Sequence, residues 1–375
     1  MSWVECQLGD ILTLKRGYDL PHSARKSGSV PVVSSSGITG YHNTAKVEGP
    51  AVVTGRYGTL GEVYYVEGEC WPLNTSLYVQ DFKGNRPKFV YYFLQSVLKG
   101  MQSDKAAVPG VNRNDLHARK VKCTKDHDVQ VAVEKIISPY DDLIENNRRR
   151  IQLLEESARL LYQEWFVRLR FPGHEQAKII DGVPEGWERT TADKVMNILS
   201  GGTPKTKMPE FWNGGIPFFT PKDAKGLFTH DTEKTITELG LSKCNSHLYP
   251  KYTVFITARG TVGKLSFAQR PMAMNQSCYA LIAKDGISQE FLYSSLKASI
   301  DQFKARASGA VFDAIVVDTF KDIPFLIPGP ALRDEFTKQV KLLFNQVDNL
   351  SIQNIKLAQA RDLLLPKLMS GELAV

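Results

Sequence analysis

The sequence predicts an α+β fold in which two α/β modules are separated by a pair of long antiparallel coiled-coil helices, the whole forming a pseudo-two-fold internal repeat. Three observations carry this. The segment VVTGRYGTLGEVYYVEGECWPLNTS, Val52 to Ser76, returns as FITARGTVGKLSFAQRPMAMNQS, Phe255 to Ser277, with matching residues in the same order. Each copy then runs into a long stretch whose apolar residues are spaced by fours and threes, the signature of a helical seam. The remainder consists of short β-rich runs bounded by Gly, Pro, Asn and Ser, with one or two short helices per copy.

The elements follow in order. Each copy opens near a tryptophan, Trp3 before LTLKRGYDLP and Trp187 within VPEGWERTTADKVMNILSGGTPKT. A short apolar run comes next (VPVVSSSG, GIPFFTPK), then the Gly-Arg loop, an apolar helix (FVYYFLQSVL, EFLYSSLKASI) and a Gly-containing loop (AAVPGVNRNDL, Ala106 to Leu116; ARASGAVFDAI, Ala305 to Ile315). The long helices close each copy. The second has a seam of Phe336, Val340, Leu343, Val347, Leu350, Asn354, Leu357, Arg361 and Leu364. The first runs through Val129, Val133, Ile136, Tyr140, Leu143, Asn147, Arg150, Leu154, Ala158, Leu161 and Trp165, with Pro139 either starting the main helix or kinking a longer one. Asn147 and Asn354 sit at equivalent seam positions, where one polar residue costs stability and fixes register. The expected organisation is a first module over residues 1–127, a long helix over 128–170, a second module over 171–329 and a second long helix over 330–375. The module between the helices must carry the chain away from one helix end and back to it, so the helices are expected to pair antiparallel.

The totals narrow the function classes. A chain of 375 residues with 42% hydrophobic and 23% charged residues has a soluble globular composition and is long for one core. No apolar run approaches the roughly 20 residues that span a bilayer, and the first residues lack a signal-peptide pattern, so the protein is expected in the cytoplasm with no membrane partner. The five cysteines are scattered without a C-x-x-C pair, which speaks against a disulfide frame or a zinc knuckle. A net charge of +7 and a pI near 9.0 lean toward a polyanion. The basic excess falls in 1–127 and, less strongly, in 171–329, while the helical stretches are near neutral.

Motifs for catalysis are missing. The Gly-Arg loops lack the G-x-x-x-x-G-K-[ST] spacing, and Gly263-Lys264-Leu265, the nearest approach, has no hydroxyl after the lysine. The seven histidines form no ligand cluster, so no metal is expected. An Asp/Asn-Pro-Pro-aromatic segment of a nucleotide-methylating enzyme is absent as well. DNA binding accounts for the loops instead. Their glycines let the backbone approach phosphate, Thr54, Thr59, Thr257 and Thr261 have hydroxyls to donate, and Arg56 and Arg259 can fork onto phosphate or onto guanine. In this reading Thr54 answers to Thr257, Arg56 to Arg259, Gly58-Thr59 to Gly260-Thr261, Gly61 to Gly263 and Asn74 to Asn275. Tyr57 and Lys264 lie in the same loops. Lys15, Arg16, Tyr18, Asn112, Arg113 and Asn114 in the first copy, and Thr203, Lys205, Lys222, Arg306 and Ser308 in the second, complete the expected DNA-binding set. The copies agree at framework positions and differ at these, as two modules of one design reading two sequences would.

The order module, helix, module, helix resembles the DNA-specificity subunit of type I restriction-modification systems over essentially the whole chain. The most specific stretches are LIENNRRRIQLLEESARLLYQEWFVRLRFPG (Leu143 to Gly173), DGVPEGWE (Asp181 to Glu188) and LLLPKLMSGEL (Leu363 to Leu373). The Gly-Arg loops and AAVPGVNRNDL are similar to the family's target-recognition domains, whereas SGAVFDAI departs from the usual asparagine-rich turn. The resemblance implies a non-catalytic subunit with no cofactor of its own. It binds double-stranded DNA and two modification subunits, which carry S-adenosylmethionine and methylate adenine. It also admits motor-nuclease subunits that use ATP and Mg for cleavage. Each module would read half of a split site and the helices would set the gap. Exposed apolar residues of the helices would dock the partners, Trp165 and Phe166 being either such contacts or local packing. Two other readings stand beside it: a solitary DNA binder, such as a repressor or anti-restriction decoy, and a nucleotidyl or phosphoryl transferase with its site at the Gly-Arg loops.

Overall fold

The computed structural model describes residues 3–100, 110–308 and 314–375. Met1, Ala106 to Pro109 and Gly309 to Asp313, which figure in the sequence reading, lie outside them. The chain forms two compact units: Met1–Glu145 with Asn354–Val375, and Asn146–Gln353. Each long helix therefore gives one part to each unit.

Unit 1 contains β1 (Val4–Gln7), β2 (Thr13–Arg16), β3 (Val30–Ser34), β4 (Gly37–His42), β5 (Ala51–Gly55), β6 (Val63–Val66), β7 (Trp71–Pro72) and β8 (Ser76–Asp81). Then come α1 (Pro87–Leu98), α2 (Arg113–His117), β9 (Lys120–Cys123) and the first part of α3 (His127–Tyr162). The strands make a sheet of order β2-β8-β5-β6, a second of order β4-β3-β7 and the pair β1-β9. All five residues of β5 are buried, as an apolar strand covered on both faces should be. Helix α1 starts with Pro87, whose missing N–H costs nothing in a first turn, and buries Phe89, Tyr92 and Phe93.

That core also takes in Val129, Val133 and Ile137 of α3 together with Leu365, Leu368 and Met369 from the last turns of the C-terminal helix. The beginning of one long helix thus packs with the end of the other, the antiparallel sense. Polar contacts pin the arrangement. Glu134 on α3 accepts from the Arg86 guanidinium at 2.8–2.9 Å and from the Phe89 backbone N–H at 3.0 Å. Asp141 accepts from Tyr92 at 2.9 Å and from Arg361 at 2.6 Å. A Cβ on Gly371 would lie 2.5 Å from the Trp3 indole, so Trp3 packs on the turn that follows the final helix.

Unit 2 has the end of α3, then β10 (Ile179–Ile180), β11 (Val183–Pro184), β12 (Glu188–Thr191), α4 (Ala192–Val195), β13 (Met196–Ser200), β14 (Trp212–Phe219), β15 (Phe228–Thr229) and β16 (Thr235–Ile236). It continues through α5 (Glu238–Ser242), β17 (Val254–Thr257), β18 (Leu265–Ala268), β19 (Ala273–Met274), β20 (Cys278–Ala283), α6 (Gln289–Ala298), α7 (Ile300–Ser308), β21 (Pro324–Ile327) and α8 (Pro330–Ser370). Its main sheet has the order β13-β20-β17-β18-β15, beside β16-β14-β19, β12-β21 and β10-β11. The first four strands of that sheet come in the same chain order as β2-β8-β5-β6. Tyr162 at the end of α3, Trp165 and Phe166 in the π-helical turn that follows it (Gln163–Val167), Phe291 from α6 and Phe336 from α8 form one aromatic cluster with neighbouring rings 5.0–6.0 Å apart. Trp165 and Phe166 are consequently packing residues, buried to 6% and 5% exposure, and not partner contacts.

Two helical expectations change. Pro139 lies inside α3, so the helix is one continuous run from His127 and not one that starts at the proline. The seam also moves by one residue. Ile136 and Leu143 stand 38% and 49% exposed, while Ile137 and Ile144 are buried. An α-helix advances 3.6 residues per turn, so a strict heptad count drifts off the buried stripe, here across the proline turn. Asn147 stays in phase: it is buried and donates to Gln353 at 3.5 Å, whereas Asn354 is half-buried.

Candidate nucleic-acid interface

In unit 1 the loop after β5 is held at both sides. The Arg56 and Tyr57 backbone N–H groups donate to the Thr75 carbonyl at 2.9 and 3.1 Å, and the Arg56 carbonyl accepts from Val111 at 2.9 Å. Gly58 and Gly61 have φ of 81° and 83°, the left-handed conformation that glycine alone adopts cheaply. The result is an open cleft of about 520 Å³ lined by Arg16, Arg56, Tyr57, Asn112, Arg113 and Asn114 with Leu77, Gly110 and Val111. Residues expected on three separate loops converge there. The Arg56 guanidinium lies over the Tyr57 ring, 4.6 Å from its centre, a cation–π contact that helps to hold it in place. Asn112 caps α2, its Oδ1 accepting from the Asn114 N–H at 3.0 Å. Three guanidinium groups beside amide side chains suit a phosphate backbone and base edges together.

Tyr18 is not among the cleft's lining residues; its hydroxyl lies 3.0 Å from that of Tyr78, and burial with the Tyr18 hydrogen bond pushes the Tyr78 phenol up. Lys15 and Lys46 both lie 5.9 Å from the Tyr18 ring centre, and Lys46 also lies 5.1 Å from that of Trp71. Sequence reasoning missed Lys46. No periodicity marks it, and only the fold of β4 to β7 brings it over these rings.

Thr54 and Thr257 are corrections. Their side chains are buried, at 1% and 0% exposure. The Thr54 hydroxyl donates to the Glu62 carbonyl at 2.8 Å and that of Thr257 to the Thr261 carbonyl, so both close their own loop and neither reaches a ligand. Thr59, Thr261, Arg259 and Lys264 are exposed.

The matching of the two copies is also corrected. Thr54 pairs with Val63 across its hairpin, and Ile256 pairs with Leu265. Ala258 and Arg259 donate to the Ser277 carbonyl as Arg56 and Tyr57 do to that of Thr75. By hydrogen-bond register Arg56 therefore answers to Ala258, Tyr57 to Arg259, Asn74 to Gln276 and Leu73 to Asn275. The glycines agree, since Gly260 and Gly263 repeat the positive φ of Gly58 and Gly61 at this offset. Likewise Ile315 donates to the Ala258 carbonyl at 3.0 Å, as Val111 does to that of Arg56. The counterpart of Asn112-Arg113-Asn114 is thus Val316-Val317-Asp318 and not the Arg306 region, and both valines are 45% exposed.

Among the other unit 2 residues, the fold joins the segments that bear Thr203 and Asn275. Thr203 donates to Gln276, and Asn275 accepts from the Ser277 N–H at 3.1 Å. Lys205 and Lys222 are exposed after β13 and β14. Arg306 is exposed on α7, and Ser308 ends that helix with its side chain outside the described residues. Among the described residues no group of three or more His, Cys, Asp and Glu could hold a metal, and no helix is long and apolar enough to cross a membrane.

Comparison with known proteins places the chain. The family described as the type I restriction modification DNA specificity domain matches residues 1–156 and 184–359. The type I restriction enzyme MjaIX specificity subunit of Methanocaldococcus jannaschii is 27% identical over 195 residues, 51% of this chain and 45% of that protein. The HindI specificity subunit of Haemophilus influenzae is 27% identical over 311 residues, 66% of this chain and 68% of that protein. The crystal structure of a type I restriction-modification S subunit from M. genitalium is similar in fold, with a TM-score of 0.57 at 17% identity over 98% of this chain and 96% of that one. With both halves matched, the chain belongs to the family of type I restriction-modification DNA specificity domains.

Proposed function

We propose that this chain is the sequence-specific DNA-binding subunit of a type I restriction-modification complex, in which each of two target-recognition domains, 1–127 and 171–329, reads one half of a split site. The observation that carries this is the cleft of unit 1. Arginines and amides from the end of β2, the loop after β5 and the cap and first turn of α2 converge on one open surface, in a chain whose two halves both match the specificity family. The cleft suits duplex DNA because guanidinium groups serve phosphate and guanine alike, while amides match adenine. The long helices, 128–170 and 330–375, act as an antiparallel coiled coil that sets the gap, with Asn147 and Asn354 fixing its register. Support comes from the apolar contacts of opposite helix ends within each unit.

The helices also dock two modification subunits. Leu153 and Leu342 are 68% and 65% exposed on them, apolar side chains that a partner helix would cover. In this reading the chain is non-catalytic and cytoplasmic, and S-adenosylmethionine, ATP and Mg belong to partner subunits. Motor-nuclease subunits would add cleavage. The test is to sequence what the full chain retains from a pool of random duplexes. Two short half-sites with a constant gap are expected. One continuous site favours a solitary binder, and retention without any preference refutes the proposal.

A further inference from the structure

In both units an exposed polar side chain, Asp19 or Gln276, is joined to a half-buried one, Asn74 or Thr203, at the same place in the backbone. Asn74 donates its Nδ2 to the Asp19 carboxylate, and Thr203 donates to the Gln276 Oε1. The segments bearing them are locked together. Tyr18 N–H donates to the Pro72 carbonyl at 2.8 Å and Asn74 N–H to the Tyr18 carbonyl at 3.0 Å; Gly202 N–H donates to the Met274 carbonyl at 3.1 Å. Gly17 and Gly201 have no room for a Cβ, which would run into the carbonyls of Pro72 and Leu73 in one case and of Met274 and Asn275 in the other. The two pairs are therefore preorganised on equivalent rigid corners, with different chemistry on each.

Asp19 is unusual for such a corner. It is a well-exposed carboxylate 3.7 Å from Arg16, which lines the cleft. A bare carboxylate turned to a phosphate would be repelled, so Asp19 and the amide it holds are suited to base edges, while the neighbouring Arg16 can take the phosphate. An ionised carboxylate only accepts hydrogen bonds, so it dictates which way the Asn74 amide faces. One Nδ2–H goes to Asp19. The other Nδ2–H and the Oδ1 remain, a donor beside an acceptor, the complement of adenine N7 and N6 in the major groove. In unit 2 the Thr203 hydroxyl takes one lone pair of Gln276 and leaves the same edge open.

Resting on the DNA-reading function proposed above, we infer that Asn74 reads an adenine in the half-site of unit 1, with Asp19 as the positioning residue that fixes the amide. Gln276, oriented by Thr203, takes the same part in unit 2. The identity of the base follows from the amide edge, and the rigidity of the corner removes the entropy cost of holding it.

The experiment uses the full chain and random duplex pools, with Asn74→Ala, Asp19→Ala and the size-preserving Asn74→Asp and Asp19→Asn. The parent selects a split site with an adenine that Asn74→Ala stops preferring, the discrimination falling by about 5- to 150-fold at that one position. Asp19→Ala relaxes the same position and strengthens binding to unrelated duplex, because a negative charge is gone. A purely structural part for Asp19 would instead weaken every position alike. Asp19→Asn relaxes the position too, since an amide partner no longer dictates the facing of Asn74, and Asn74→Asp loses it because a carboxylate has no donor for adenine N7; this size-preserving pair decides the matter if the alanine variants fail to fold. Loss at a position that is not adenine, or equal loss everywhere, overturns the inference. A parent that selects a split site while every Asn74 variant keeps all its preferences overturns this inference alone; a parent that selects no site overturns the function with it.

Discussion

Replacing Arg16 and Arg113 together by alanine tests whether the unit 1 cleft grips the DNA backbone. Both side chains are exposed on its rim. The Arg16 to Asp19 ion pair at 3.7 Å, with both partners more than half exposed, is worth little and leaves Arg16 available to phosphate. Arg56 differs. It is half-buried, placed over the Tyr57 ring at 4.6 Å from its centre and tied by its backbone on both sides, a geometry for one base and not for a mobile phosphate contact. Each phosphate contact contributes about 0.9 to the slope of log affinity against log salt, so the double variant should lower that slope by about 1.8. Between about 50 and 200 mM salt the unmodified chain then loses about twelvefold more affinity than the double variant. Titrating a fluorescent duplex at several salt concentrations measures it. Arg56→Ala should leave the slope nearly as it was and relax one base by about 1–3 kcal/mol. An unchanged slope in the double variant, or a slope that falls only in Arg56→Ala, refutes this division of labour.

Three further outcomes are expected. Linking the segment after Leu373 to Trp3 and reopening the chain between Gly173 and Asp181 should give a folded protein that keeps its DNA preference, because Trp3 already packs on Gly371; a soluble permutant without site preference would count against functional symmetry. One heptad added to each long helix beyond Asn147 and Asn354 lengthens each by roughly 10 Å, so the preferred gap should grow by up to ~3 base pairs at ~3.4 Å each while the half-sites stay the same; altered half-sites with an unaltered gap would end the ruler idea. Glu155 is pushed above its ordinary value of 4.5 by burial, which outweighs the nearby Lys297. An acid raised in the folded state holds its proton longer there, so stability falls as pH rises from about 4.5 through the folded value. Glu155→Gln should flatten that fall and melt higher at neutral pH, and identical pH dependence of melting in both proteins would contradict it.

Much of this was legible in the chain. Gly58, Gly61, Gly260 and Gly263 mark backbone turns that need positive φ, and such a need shows directly as a residue type. The long helices were legible because their apolar spacing is a local property, and the Gly-Arg loops because they occur twice. What the sequence by itself could not decide is which side chains stand at equivalent positions and which of them face solvent. Thr54 and Arg56 match Thr257 and Arg259 as letters, yet the strand register sets them one residue apart. Register is decided by pairing with distant strands, and a one-residue slip turns a side chain to the other face. The glycines alone carried the true offset. The same holds for burial: a threonine beside a glycine reads as a ligand donor until the hairpin closes and presents it with the Glu62 carbonyl. The convergence of Arg16, Arg56 and Arg113, and the capture of Asn74 by Asp19 across 55 residues, exist only once the sheet has brought those loops together. Residue type and periodicity are local and survive in the sequence; juxtaposition is not local, and the tertiary structure alone supplied it.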